Sequence, residues 1–80
     1  MPHEIPPWLV AARLDTGRRI REARLHRNLS QEQLADRVGL DRQTISRTEV
    51  GATSPRLDVI LRIARALQVS PLSLLPADLD

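Results

Sequence analysis

The stretch Ser30–Gly51, SQEQLADRVGLDRQTISRTEVG, most constrains what this chain can fold into, because it reads as two short helices joined by a glycine turn, with polar side chains massed on the second. Ser30 suits an N-cap, its hydroxyl accepting from a free backbone N–H, and Gln33 three residues later completes a capping box, so a helix starts at Gln31. Leu34, Ala35 and Val38 recur at the spacing of one buried face, while Gln31, Glu32, Asp36 and Arg37 fall outward. Gly39 then permits a sharp reversal, since a positive φ costs glycine almost nothing. Asp41 can cap the next helix, whose inward positions are Ile45 and Thr48. Ala35 is small where the two helices cross.

Helical periodicity continues on both sides. A helix over about Thr16 to Arg27 places Ile20 and Ala23 inward and leaves Leu25 undecided, with Asn28 as a left-handed cap before Leu29. The hairpin adds Leu34, Val38, Leu40 and Ile45. Ser54 as cap and Pro55 as first helical residue predict a further helix that buries Leu57, Ile60 or Leu61, Ala64 and Leu67. Ser70 and Pro71 repeat that start signal and open a short last helix carrying Leu72, Leu74 and Leu75, three leucines that one helical face cannot all bury.

The arrangement resembles the helix-turn-helix of the phage-repressor family, which includes lambda repressor, Cro and the Xre-like regulators. The resemblance rests on Gln31, Leu34-Ala35, Gly39, Ile45-Ser46, Glu49 and Gly51 at the family's spacing. It extends upstream through Gly17, Arg19-Ile20-Arg21 and Arg24, and downstream through Ser54-Pro55 and LDVILRIARALQVSPLSLL, covering roughly Thr16 to Leu75. Thr48 stands where the family usually has a large apolar residue, and Val50 where a polar turn residue is common. The resemblance implies an all-α fold, a compact five-helix lambda-repressor-like domain over residues 14–75, between an arm at residues 1–13 and a short acidic tail at residues 76–80.

The same resemblance implies sequence-specific binding of double-stranded DNA, with the second motif helix in the major groove and its N-terminal residues at base edges. Position by position, the base-reading residues are then Arg42, Gln43, Ser46 and Arg47. Their chemistry suits the task. Arginine can donate two parallel hydrogen bonds to guanine O6 and N7, and glutamine can donate and accept against adenine N6 and N7. Arg42 and Ser46, four apart, and Gln43 and Ser46, three apart, share a face opposite Ile45. Asp41 and Thr44 lie at the margin of that reading set; Gln31 matches a position that binds backbone phosphate, with Thr44, Arg18, Arg19 and Arg56 as further phosphate candidates. Arg24 and Glu49 match two positions that pair in the interior. Relatives that pair through the last helix make Leu72, Leu74 and Leu75 candidates for a homodimer surface.

Charge distribution supports this more than net charge does. The 80 residues carry only +2, but all twelve basic residues are arginines between Arg13 and Arg65. Over Arg13–Leu75, twelve arginines against seven acids leave +5, so the basic part is the helical part. A GC-rich genome explains arginine exclusivity equally well. With no cysteine, disulfides and thiolate metal sites are excluded. No apolar run approaches the ~20 residues that span a bilayer, and the reading is a cytoplasmic, nucleoid-associated protein without membrane partner, cofactor or metal. His3 and His26 stand alone, without a histidine–carboxylate or nucleophile spacing, so no enzyme is expected.

The N-terminal end is less determined. Three prolines in the first eight residues favour an irregular arm, and WLVAARL either forms a separate short helix or extends the next one backwards. The separate turn is favoured, because Asp15 or Thr16 can cap a new helix and Gly17 weakens a continuous one by about 1 kcal/mol relative to alanine. Trp8, the only aromatic residue, packs with Leu9 and Val10 either on the domain's own core or on a second subunit. An antitoxin or adaptor-type module, whose main partner is another protein, is the competing function class; co-purification with that partner is its discriminating observation.

Overall fold

The computed structural model describes residues 4–77. It contains four α-helices, α1 (Pro7–His26), α2 (Gln31–Val38), α3 (Arg42–Glu49) and α4 (Leu57–Leu67), followed by a single 3-10 turn at Pro71–Leu74. The described residues contain no strand. The expected fifth helix is therefore one tight turn. Ser70 caps it as predicted, its hydroxyl accepting from Leu72 N at 3.3 Å, but Leu75 is already extended and the turn goes no further.

The helix-turn-helix forms as its local chemistry dictates. Ser30 Oγ accepts from Gln33 N at 3.0 Å and Gln33 Oε1 accepts from Ser30 N at 2.8 Å, satisfying two helix-end donors reciprocally. Gly39 closes α2 at φ +75°, and Asp41 Oδ1 accepts from Thr44 N at 2.7 Å to open α3. Asn28 takes the predicted left-handed conformation at φ +57° after α1.

α1 departs most from expectation. It runs unbroken through Gly17, so WLVAARL is its first two turns and not a separate element. Asp15 and Thr16 cap nothing; Asp15 instead pairs with Arg18 and Arg19 on the helix surface. The reason for the glycine lies in another helix. A Cβ on Gly17 would stand 2.5 Å from the carbonyl oxygens of both Thr48 and Glu49, so α1 and the end of α3 meet backbone to backbone. Propensity costs about 1 kcal/mol at this position, and the close approach is what that cost allows.

α4 begins at Leu57 with an extended Arg56 as its N-cap, two residues beyond the predicted start, and Ser54 and Pro55 remain in the connection, beside residues of both α1 and α3. Ile60, Ile63, Ala64 and Leu67 form its buried stripe. Ile63 was not among the predicted core residues, and Leu57, which was, is 69% exposed at the helix start. These residues close over Ile20, Leu29, Leu34, Ala35, Val38 and Ile45, and Leu74 plugs the end of the core. Leu25 is half-exposed and Leu40 partly buried. Two arginines fasten the periphery: Arg27 Nε donates to Leu67 O at 2.8 Å, and Arg62 Nη1 to Val38 O at 3.4 Å. No described helix is long and apolar enough to cross a membrane.

Candidate nucleic-acid interface

α3 divides its circumference sharply. Ile45, Thr48 and Glu49 are buried, whereas Arg42, Gln43 and Arg47 are exposed and Ser46 is half-buried. At 3.6 residues per turn the four polar side chains fall within about 140° of arc, opposite Ile45 and Thr48. The structure thus gathers the predicted base-reading residues on one open face. Thr48 reconciles its polarity with burial by donating its hydroxyl to Thr44 O at 2.8 Å, one turn back, so no buried polar atom is left unsatisfied there. The hydrogen bond from the Thr44 amide holds the Asp41 carboxyl below its ordinary value of 3.8, and the charge of Arg47 adds to this, so the N-cap is an anion at neutral pH.

Behind this face lies a charged network that fixes α3. Arg24 Nε donates to Glu49 Oε2 at 2.6 Å and Arg24 Nη2 to Glu49 Oε1 at 3.0 Å, a bidentate fork with both side chains buried. Arg24 Nη1 donates to Leu29 O at 2.7 Å, and Gln31 Nε2 donates to Glu49 Oε1 at 3.0 Å. One carboxylate at the end of α3 therefore takes three donors from α1 and the start of α2, while the guanidinium also ties the loop between them. The predicted Arg24–Glu49 pairing is present; the Gln31 and Leu29 contacts extend it beyond what the sequence indicated. Gln31 remains half-buried at the first position of α2. Its amide carries two N–H donors, and one of them is engaged by Glu49.

The other predicted phosphate contacts separate. Thr44 and Arg56 line one shallow cleft of about 350 Å³ with Leu40, Thr48, Thr53 and Ser54, which brings Arg56 to α3. Arg19 does not reach that face. It lies about 200° around α1 from Gly17, its Nε on Asp15 Oδ2 at 3.1 Å and its Nη1 on Ser73 O at 3.4 Å, holding the 3-10 turn. Arg18 pairs with Asp15 and Glu22 on the exposed flank of α1. Partial burial pushes the Asp15 carboxyl up, but the hydrogen bond and charge of Arg19 and the charge of Arg18 outweigh it, leaving Asp15 below its ordinary value of 3.8.

Of the apolar residues offered for a second subunit, Leu74 is removed by the structure. It is 1% exposed and belongs to the core, because the single turn aims Leu74 inward and leaves Leu72 on its outer side. Leu72 is 77% exposed, Leu75 partly so, Trp8 56%, and Leu9 is half-buried. His26 is exposed, and no group of metal-ligating side chains is found among the described residues; His3 lies outside them.

Comparison with known proteins matches this geometry to a family. The helix-turn-helix family HTH_3 matches residues 20–74, more than half of the chain. The control protein C.BamHI of Bacillus amyloliquefaciens is 44% identical over 64 residues, which is 79% of each chain. An uncharacterized HTH-type transcriptional regulator of Methanothermobacter thermautotrophicus is 56% identical over 48 residues, 60% of this chain and 70% of its own length. Among solved structures, the restriction-modification controller protein C.AhdI of Aeromonas hydrophila superposes with a TM-score of 0.78 at 40% identity, covering 81% of this chain and 94% of its own. The P22 c2 repressor, solved in complex with a synthetic operator, superposes with a TM-score of 0.73 at 36% identity, over 79% of this chain and 96% of its own. The chain belongs to the helix-turn-helix family of DNA-binding transcriptional regulators, in its phage-repressor-like branch.

Proposed function

We propose that this chain is a sequence-specific transcriptional repressor that binds double-stranded DNA as a homodimer on a palindromic operator. The observation that carries the reading is the contrast across α3: an open face of Arg42, Gln43, Ser46 and Arg47, backed by a buried clamp of Arg24, Gln31 and Glu49 that fixes the helix before DNA arrives. Pre-organisation of this kind reduces the ordering cost of binding. Arg42 and Gln43, in the first turn, are placed for base edges; Ser46 and Arg47 follow on the same face. Gln31, with one amide hydrogen free beside the N-terminal N–H groups of α2, would hold a phosphate, as would Thr44 and Arg56 beside α3. Arg18 is a peripheral phosphate contact, and Arg19 serves the fold more than the duplex. The names of the relatives agree in direction, two being control proteins and one a repressor on its operator.

Selection from a randomised duplex pool followed by sequencing tests the proposal. It should enrich two inverted half-sites about one helical turn apart. Arg42→Ala should relax preference at one base pair per half-site, costing about 1–3 kcal/mol of discrimination. Arg56→Ala should weaken binding uniformly across sequences and lower the salt dependence. A pool with no enriched half-site, or an enrichment that Arg42→Ala leaves unaltered, overturns the base-reading assignment.

A further inference from the structure

The first two turns of α1 lie outside the stretch matched to the family and border an open groove of about 230 Å³. Trp8, Leu9, Ala12, Ile60, Leu75 and Pro76 line it, joining α1, α4 and the C-terminal segment. Its volume falls below the ~300–1,000 Å³ of small-molecule sites but suits one large side chain from a protein partner. Arg13 also lines it, and Arg13 Nε is buried without a hydrogen-bond partner among the described residues.

We propose that Trp8 and this groove form the two-fold contact between two copies of the chain. The inference rests on the homodimer reading above and places its interface on the N-terminal turns of α1, away from Leu72. Self-complementarity favours a second copy over a different protein. Trp8 is both the groove's rim and its most prominent half-exposed neighbour, so a two-fold axis beside it lays each indole over the other copy's groove, as an isologous interface requires. The surrounding surface extends the contact. Leu57 and Leu61 are exposed on the flank of α4 turned away from Val59, which faces the α3 cleft, and they flank Ile60 on the groove side. With an indole burying ~150–250 Å² in full, the exposed parts of Trp8, Leu57, Leu61 and Leu75 supply on the order of 400 Å², about half of the ~800 Å² per partner of a standard interface and enough for its apolar centre. Ser54 and Pro55 form another wall of the groove and lead out of α3, so occupation of the groove steadies the segment that positions the recognition helix.

Trp8 is the only tryptophan, which makes the wild-type chain its own probe. Sedimentation and tryptophan emission should be followed together on the full chain over a wide concentration range. The expected result is a blue shift that tracks dimer formation, a dimer dissociation constant raised at least tenfold by Trp8→Ala, and one unchanged within twofold by Leu72→Ala. Circular dichroism would confirm that both variants keep their helices. A dimer whose emission is independent of association, or that Leu72→Ala splits and Trp8→Ala does not, overturns the proposed interface and leaves the homodimer standing. A chain that remains monomeric at all concentrations and on a duplex carrying both half-sites overturns both readings. A monomer already blue-shifted at high dilution would mean that Trp8 is covered within a single chain, and this also overturns the proposal.

Discussion

Gly17→Ala sets two effects of opposite sign against each other. Gly17 lies in the interior of a 20-residue helix, where alanine is better by about 1 kcal/mol from backbone entropy alone. Its missing Cβ, however, would lie 2.5 Å from two carbonyl oxygens and 2.8 Å from a carbonyl carbon of Thr48 and Glu49. An ordinary carbon–oxygen approach is about 3.3–3.6 Å, so the end of α3 must retreat by about 1 Å. The obstructing atoms are backbone and cannot rotate aside. Inserting a methyl group into such a contact costs about 1–3 kcal/mol. Here the retreat also pulls Glu49 from Arg24, with which it makes a 2.6 Å bond. Adding part of that network's loss gives a net destabilisation of about 2 kcal/mol after the propensity gain. A domain of this size holds on the order of 4–12 kcal/mol in total and shifts its Tm by about 4–8 °C per kcal/mol, so Gly17→Ala should lower Tm by about 8–16 °C. Thermal unfolding followed by circular dichroism measures this, with Arg21→Ala on the exposed side of the same helix as control. A Tm that rises by several degrees, as helix propensity alone demands, would refute the close-approach argument.

Two further predictions concern charge. Arg24→Met leaves the Glu49 carboxylate buried with only Gln31 as side-chain donor and should destabilise by about 3–5 kcal/mol, whereas the double variant Arg24→Met/Glu49→Met removes both charges and should recover much of that loss in urea denaturation; additive single-variant losses would refute the pairing. The Asp15 and Asp41 carboxyls lie below their ordinary values in the folded chain, so their stabilisation is fully present above about pH 4 and is lost as pH falls through their lowered folded values. The urea midpoint should therefore hold steady down to about pH 5 and decline below about pH 4. Asp41→Asn keeps a capping side chain but cannot titrate, and should flatten that decline; an unchanged acid profile counts against the assignment.

What the sequence made legible was the chemistry that acts over three or four residues. Ser30 with Gln33, Gly39, Asp41 and Asn28 each satisfy or release a backbone group of their own helix end, and each does in the structure what its residue type predicts. The two misread helix boundaries have causes that are distant along the chain. Gly17 looks like a helix breaker until the end of α3 is laid against it, 31 residues later in the sequence. Ser54-Pro55 has the residues of a helix start, but both lie in the connection against α1 and α3, so α4 waits until Leu57 and its buried stripe comes to include Ile63. Glu49 receives Arg24, Gln31 and, through its carbonyl, the bare surface of Gly17, so contacts from α1 and α2 converge on the final turn of α3. The open residues Arg42, Gln43, Ser46 and Arg47 make no such contacts and owe their placement to that turn. On the proposed function, a substitution at Gly17, Arg24, Gln31 or Glu49 therefore shifts the four proposed reading side chains together, whereas one at Arg42 or Gln43 alters a single contact.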